Sequence, residues 1–300
     1  MKKILVVILG PTGVGKSDLS LEIALWLNAE IISADSRQFY REMKIGTAVP
    51  PEDHLTKIPH HFIRFLSVKD YFSASLFERS VLKLLESLFE KGNLVVMTGG
   101  SGMYIDAVCN GIDDIPDIDP SSRRKYNEKF RTEGIEGLRA ELRLIDPDYY
   151  QKVDLKNHKR IIRALEIYDS TGHPYSDFLT RRKVSRNFDA IKIGLKRDKE
   201  ELYARINSRV DEMIRLGLEE EASGLYHLRD LNPLKSVGYR EFFDYFDGKI
   251  SRQKAIELVK RNSRRYAKRQ MTWWKRDETI AWFDPGSVKE IIEHIKSKMS

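Results

Sequence analysis

Apolar residues fall in short blocks over the first hundred positions of the chain. Residues 4–9 are all apolar, a run of the length expected for a buried strand. Residues 16–27 carry apolar side chains at helical spacing and follow a glycine-rich turn, which predicts a helix. Residues 30–34 predict a second short strand that ends at Asp35. Residues 36–72 read mostly as loop, broken by Pro50, Pro51 and Pro59. Between 75 and 90, Leu76, Phe77, Val81, Leu84, Leu85 and Leu88 recur on one side of a helix. Residues 94–97 predict a third buried strand, which runs into Thr98-Gly99-Gly100-Ser101-Gly102. Strands alternating with helices in this way predict an α/β fold with a doubly wound, mostly parallel sheet.

The pattern changes after Gly111. Residues 115–120 have the proline and acidic content of a linker, and 121–182 are charged and helical in period with no strong strand. Residues 190–195 predict a strand that returns to the sheet. The remainder is helical apart from a short apolar run at 280–283. The expected organisation is a core built from 1–115 and 187–300, interrupted by an all-helical domain over 116–186.

Composition narrows the function classes. Three hundred residues with 41% hydrophobic content are enough for a sizeable core. No apolar stretch has the length of a membrane span, so no membrane association is expected. The first apolar segment runs straight into the glycine turn and reads as a core strand, not a secretory signal. The single cysteine, Cys109, rules out an internal disulfide and a cysteine-based zinc site, and its apolar neighbours predict a buried thiol. A reducing, cytoplasmic setting is expected.

The net charge of +7 is concentrated: between Arg252 and Arg276 there are ten Lys/Arg against one acid, Glu257. On a helix, Lys260, Arg264 and Lys268 form one column and Arg261, Arg265 and Arg269 the next. Together they predict a broad cationic face opposite Ala255, Val259 and Tyr266, a surface that attracts nucleic acid or acidic lipid. Trp273 and Trp274 follow directly; tryptophans stack on bases, but core burial is the default expectation for both.

The strongest chemical signal is Gly10-Pro11-Thr12-Gly13-Val14-Gly15-Lys16-Ser17, a G-x-x-x-x-G-K-[ST] loop between a strand and a helix. Glycines let the backbone N–H groups turn around a polyanion, and the helix adds its positive dipole end. Lys16 supplies a mobile cation, and the Ser17 hydroxyl can ligate Mg²⁺. The motif implies phosphate or pyrophosphate and is shared with ATP-binding proteins, but it does not by itself specify ATP. Ligands of such sheets gather beyond the carboxyl ends of the strands. There, Asp35 can hold a metal, take a proton, or cap its own turn. The strand at 94–97 ends in glycines and hydroxyls, where many phosphate-loop hydrolases carry a metal-binding aspartate; these glycines allow close approach of a backbone or a flat substrate. Arg205 and Arg209 read as a surface pair by spacing, and His60-His61 lacks the further ligands of a metal site. An ATP-dependent phosphotransferase explains the loop but not the basic helix. A non-catalytic RNA-binding module explains the helix but not the loop.

In combination and order, these pieces resemble the tRNA dimethylallyltransferases, also called tRNA isopentenyltransferases, of bacterial type. The resemblance covers nearly the whole chain. It rests on Gly10 to Ser17, Asp35-Ser36-Arg37-Gln38-Phe39-Tyr40, Ile45-Gly46-Thr47-Ala48 before Pro50, and Gly99-Gly100-Ser101-Gly102-Met103-Tyr104. Further on come Arg160-Ile161-Ile162-Arg163-Ala164-Leu165-Glu166, Val237-Gly238-Tyr239-Arg240-Glu241 and Arg265-Tyr266-Ala267-Lys268-Arg269-Gln270. The resemblance implies a P-loop NTPase-like core with a parallel sheet and an inserted helical domain. It implies transfer of a dimethylallyl group from its diphosphate to N6 of the adenosine 3′ to the anticodon, position 37. Asp35 would be the base, with Lys16, Arg209 and the loop stabilising the leaving diphosphate and Mg²⁺ on Ser17. Matching positions imply tRNA contacts at Asp35, Ser36, Arg37, Gln38, Ser101, Arg123, Lys159, Arg160, Ile161, Ile162 and Arg163. Ser101 stands where the family commonly has threonine, and Asn157-His158-Lys159 where it more often has an acid and a glutamine. Expected partners are tRNA and dimethylallyl diphosphate, and the expected state is a monomer.

Overall fold

The computed structural model describes residues 2–113, 115–116, 120–180 and 184–299. Much of the expected linker (Asp117, Ile118 and Asp119) and the end of the helical stretch at Arg182 lie outside the described residues. The chain divides into two compact units, one of residues 1–110 with 185–300 and the other of 111–184.

The first unit opens with β1 (Ile4–Leu9), α1 (Lys16–Leu27), β2 (Ile31–Ser33), α2 (Glu52–Lys57), β3 (His60–His61), α3 (Ala74–Lys91), β4 (Leu94–Gly99) and α4 (Gly102–Asn110). The second unit holds α5 (Pro120–Ile145), α6 (Pro147–Tyr150), α7 (His158–Thr171) and α8 (Tyr175–Phe178). The first unit resumes with β5 (Asp189–Leu195), α9 (Lys199–Arg215), α10 (Leu218–Leu225), α11 (Tyr239–Phe246), α12 (Arg252–Trp274), β6 (Ala281–Phe283) and α13 (Val288–Met299).

The described strands form one parallel sheet in the order β3-β2-β4-β1-β5-β6. The continuous apolar run of β1 follows from covering both faces of this sheet. Side chains alternate across a strand, so Ile4, Val6 and Ile8 pack with α1, α9 and α13 while Leu5, Val7 and Leu9 pack with α3, α4, α11 and α12. Each such burial contributes roughly 1.5–3 kcal/mol. The period of α3 is read correctly, with Phe77, Val81, Leu85 and Leu88 buried and Ser73 capping its first turn. Two elements fall in the stretch expected to be loop, α2 and β3. α2 has no buried residue and β3 is two residues long, so neither carries a hydrophobic period that sequence could reveal.

The topology places three loops together. β4 lies between β1 and β2, so the segments leaving the carboxyl ends of β1, β4 and β2 are neighbours. They are the glycine loop, the Gly99–Gly102 turn and the Asp35 turn.

The second unit is all-helical around Tyr126, Leu138, Leu142, Ile161, Ile162 and Leu165. Asp146, almost fully buried, caps α6 through Tyr149 N at 2.9 Å and accepts from Ser176 N at 2.8 Å, fixing α6 against the start of α8.

Candidate active site

The glycine loop is shaped by its backbone. Gly13 (φ 81°) and Gly15 (φ 109°) lie in the left-handed region, where a side chain is strained. A Cβ on Gly13 would also meet Ile206 Cγ1 of α9 at 2.8 Å. Four carbonyls of the loop accept from cations. Lys16 Nζ donates to Gly10 O (2.8 Å) and Pro11 O (2.9 Å), Arg205 Nε to Gly13 O (3.0 Å) and Arg197 Nε to Val14 O (2.9 Å). With the carbonyls held outward, the N-terminus of α1 is presented to the cavity. Lys16 is thus tied to the loop, which differs from the mobile cation expected, and Arg205, exposed as its spacing predicts, is also a strut of the loop.

A cavity of about 1480 Å³ opens over these strand ends. Pockets for single small ligands run on the order of 300–1,000 Å³, so this one has room for two reactants. Its lining includes Thr12, Gly13, Gly15, Lys16, Ser17, Asp35 to Gln38, Ser101 and Arg209. Burial lowers the Lys16 pKa to about 7; the Asp35 carboxylate opposes that shift and Arg209 adds to it. The Arg209 guanidinium is likewise held below its usual value by burial, with Asp35 again opposing. One carboxylate thus faces two cations whose charge the cavity disfavours.

Asp35 follows β2 in a turn it helps to make: its Oδ1 accepts from Arg37 N at 3.0 Å and its carbonyl from Gln38 N at 3.0 Å. The capping role and the cavity-facing role coexist in one side chain. The neighbouring turn is zipped to it. Ala34 N donates to Thr98 O (2.7 Å), Ser101 N to Ala34 O (3.3 Å), and Ser36 N to Ser101 Oγ (3.0 Å). Gly99 has no space for a side chain because the Ala34 backbone lies against it, and Gly102 abuts Trp273. The glycines here admit protein neighbours. Burial pushes the nearby Tyr266 hydroxyl up to about 12. Gln38 is buried, donating to Thr47 O (3.3 Å) and Ala48 O (3.0 Å) and accepting from Ser33 Oγ (3.1 Å). Its amide is held within the fold at the cavity wall.

Ser17 is exposed on the cavity wall. Among the described residues no cluster of three His, Cys, Asp or Glu could hold a metal. A single hydroxyl oxygen suits Mg²⁺, which keeps waters and takes most of its ligands from a phosphate-bearing substrate. The residues therefore fit such an ion. His60 bonds the Ile58 carbonyl and His61 the Glu30 carboxylate, so this pair is committed to the sheet edge.

In the second unit, Arg123 is engaged with the buried Glu166 through Nε (2.6 Å) and Nη2 (2.8 Å). Lys159 and Arg160 are exposed on α7 and Arg163 is half-buried. Ile161 and Ile162 are 0% and 3% exposed. Their side chains belong to the hydrophobic core, so the expected tRNA contacts at these two positions are corrected. Asn157 caps α7 by accepting from Arg160 N (3.3 Å), and His158 stacks on Phe130 with ring centroids 4.3 Å apart.

The broad cationic face of α12 is divided. Lys260 pairs with Asp211 (2.5 Å), and Arg264 donates to Asn207 (2.6 Å), both on α9. Arg261, Arg265, Lys268 and Arg269 remain exposed. The tryptophans split too. Trp274 is buried at 2% exposure, whereas Trp273 stands at 36%, donates to Asp106 Oδ2 (2.7 Å) and lines the cavity.

Three residues to which the sequence reading assigned no part in the site shape this cavity. Gln270 and Arg205 act on the glycine loop. Glu221 accepts from Lys44 N (2.9 Å), Ile45 N (2.8 Å), Gly46 N (2.9 Å) and the buried Tyr239 hydroxyl (2.6 Å). Burial and this carboxylate push the Tyr239 phenol far above its ordinary range. Glu221→Ala leaves a buried hydroxyl without its acceptor, so a stability loss of about 1–3 kcal/mol is expected. Denaturant titration would read it, and Glu221→Gln should recover part.

The IPP transferase family profile matches residues 38–277. The chain is 52% identical to tRNA dimethylallyltransferase 1 of Bacteroides fragilis over 297 residues, covering 99% of each. It is 55% identical to tRNA dimethylallyltransferase 1 of Porphyromonas gingivalis over 285 residues, 95% of each. Among solved structures, tRNA isopentenylpyrophosphate transferase of Bacillus halodurans superposes with a TM-score of 0.72 at 37% identity, covering 99% of this chain and 97% of that one. A eukaryotic dimethylallyltransferase acting on tRNA gives a TM-score of 0.79 at 27% identity, covering 99% and 77%. With likeness of this extent over a phosphate-loop core of matching fold, the chain belongs to the IPP transferase family, that of the tRNA dimethylallyltransferases.

Proposed function

We propose that the chain transfers a dimethylallyl group from dimethylallyl diphosphate to N6 of the adenosine 3′ to the anticodon (position 37) of tRNA, releasing diphosphate. The observation that carries this reading is one cavity lined by both Asp35 and the Lys16–Arg209 pair. The family membership of the chain supplies the substrate class. The reaction takes place in the cytoplasm, and the adenine reaches the cavity by leaving its stack.

An adenine amine is a poor nucleophile because its lone pair is delocalised into the ring. As the N6–C1 bond forms, the C1–O bond to diphosphate breaks and its electron pair stays on the departing oxygen. Asp35 takes the proton released from N6. Its turn partner, Arg37 N, holds one carboxylate oxygen and leaves the other for the amine. Lys16 uses two of its three protons on Gly10 O and Pro11 O, and the third is available to the diphosphate. Arg209 supplies a second cation, and the N-terminus of α1 adds its dipole. The Ser17 hydroxyl would hold Mg²⁺, whose chemistry when bound would be to neutralise charge on the leaving group.

The deciding experiment is incubation of the purified chain with labelled dimethylallyl diphosphate and bulk tRNA, followed by nucleoside analysis. Label in N6-(dimethylallyl)adenosine is the expected product. Phosphoryl transfer from ATP with no prenylated nucleoside would overturn the reading.

For tRNA binding we assign the exposed cations of α12 in the first unit, and Lys159, Arg160 and Arg163 of α7 in the second. Replacing Arg265, Lys268 and Arg269 by Gln is expected to flatten the slope of log K against log salt by about 2, from 0.7–0.9 per lost phosphate contact. Filter binding at several salt concentrations would measure it. Arg264 is unsuitable for this test because it is tied to Asn207 and its loss would disturb α9.

A further inference from the structure

Gln270 lies in α12 at 6% exposure, 258 residues from the loop it touches. Its Oε1 accepts from Thr12 N at 2.9 Å, and its Nε2 donates to Gly100 O at 2.7 Å. The partners fix the amide's orientation, since Thr12 offers a donor and Gly100 an acceptor. Gly100 is pressed against the same amide, and a side chain there would collide with it. Beside Gly100, Ser101 accepts from Ser36 N at 3.0 Å and its hydroxyl bonds the Ser36 hydroxyl at 3.1 Å, holding Ser36 next to Asp35. A single buried amide therefore spans the gap between the loop proposed to hold the diphosphate and the turn that steadies the proposed base.

We infer that Gln270 is a positioning residue for the transfer reaction, setting the distance between the diphosphate loop and the Asp35 turn. This rests on the function proposed above. The physical argument is that a displacement reaction needs the nucleophile, the carbon and the leaving oxygen in line, and an error near 1 Å costs on the order of 100-fold. β1 and β4 fix the strand ends, but both loops leave the sheet beyond the last ladder pair, Leu9 with Gly99. Beyond that pair, the Gln270 amide is a bridge from one loop to the other. Glutamate loses the donor when ionised, and methionine of similar length loses both bonds at every pH.

The test uses the full chain with Gln270→Glu and Gln270→Met, assayed with labelled dimethylallyl diphosphate and tRNA. The ratio of variant to wild-type kcat is read from pH 5.5 to 8.5, so ionisations shared by both proteins cancel. At this place burial and Asp35, which also faces Gly100, disfavour an ionised carboxylate, while Lys16 and Arg209 across the cavity favour it. Protonated, it donates to Gly100 O and accepts from Thr12 N; ionised, it repels the carbonyl. The Gln270→Glu ratio is expected to be 10–100-fold below unity at high pH and to rise at least tenfold as pH falls. Gln270→Met is expected to lose 10–100-fold in kcat at every pH, with KM for each substrate within a few-fold.

Thermal melts at both pH extremes accompany the assay. A Gln270→Glu ratio that is flat with pH, or one that changes only in step with the melting temperature, overturns the inference. So does a Gln270→Met enzyme with wild-type kcat. If Gln270→Met does not fold, the Gln270→Glu profile decides alone. Wild-type protein that makes no prenylated nucleoside refutes the proposed function instead.

Discussion

Asp35→Asn is expected to lower kcat by about 10²–10⁴-fold, the range for removing a general base. Asparagine is the informative replacement. It keeps an oxygen for Arg37 N and so preserves the turn, whereas alanine would remove the turn bond along with the base. Affinity for tRNA should change by no more than a few-fold. A second effect separates a base from a bystander. The Asp35 carboxylate raises the Lys16 pKa against burial, so removing its charge should move the Lys16 ionisation further below about 7. Single-turnover rates with saturating tRNA would measure the first effect, and the pH dependence of donor binding the second. Unchanged turnover would reject Asp35 as the proton acceptor.

Lys16→Met is expected to lower kcat/KM for dimethylallyl diphosphate by about 10²–10³-fold, the loss typical for one donor aimed at developing negative charge. The sign of the accompanying pH effect follows from the depressed pKa. Below about pH 7 the free enzyme carries an ammonium ion at this position, and above it a neutral amine. Wild-type kcat/KM for the donor should therefore decline as pH rises through about 7, and Lys16→Met should lack that step. The kcat profile should show the step at higher pH, because bound diphosphate favours the charged form. Initial-rate kinetics across pH at fixed ionic strength would test both points. An identical pH profile in the variant would show that another group titrates.

Much of this site is local in sequence, which is why it could be read there. The glycine loop and Asp35 are each signalled by neighbours within a few positions, and the apolar runs of β1 and β4 announce the strands that carry them. Other contributors have no such signal. Gln270, Arg205 and Glu221 act on backbone atoms more than 150 positions away, and nothing in their own helices marks them out. The periodic charges of α12 identified a cationic helix but could not show that Lys260 and Arg264 are spent on α9. Ile161 and Ile162 show the converse error. They sit inside a motif of cations, and the motif as a whole was given the role that their side chains, turned into the core, cannot perform.

The solitary thiol in α4 has a practical use. Cys109 is half-buried, less enclosed than its apolar neighbours predict, yet desolvation still pushes its thiol up to about 12, so at neutral pH its nucleophilic form is scarce and alkylation should be slow. A cysteine introduced on an exposed position, such as Leu144 of α5, could then carry a fluorophore or spin label alone, with the native sulfur left in place.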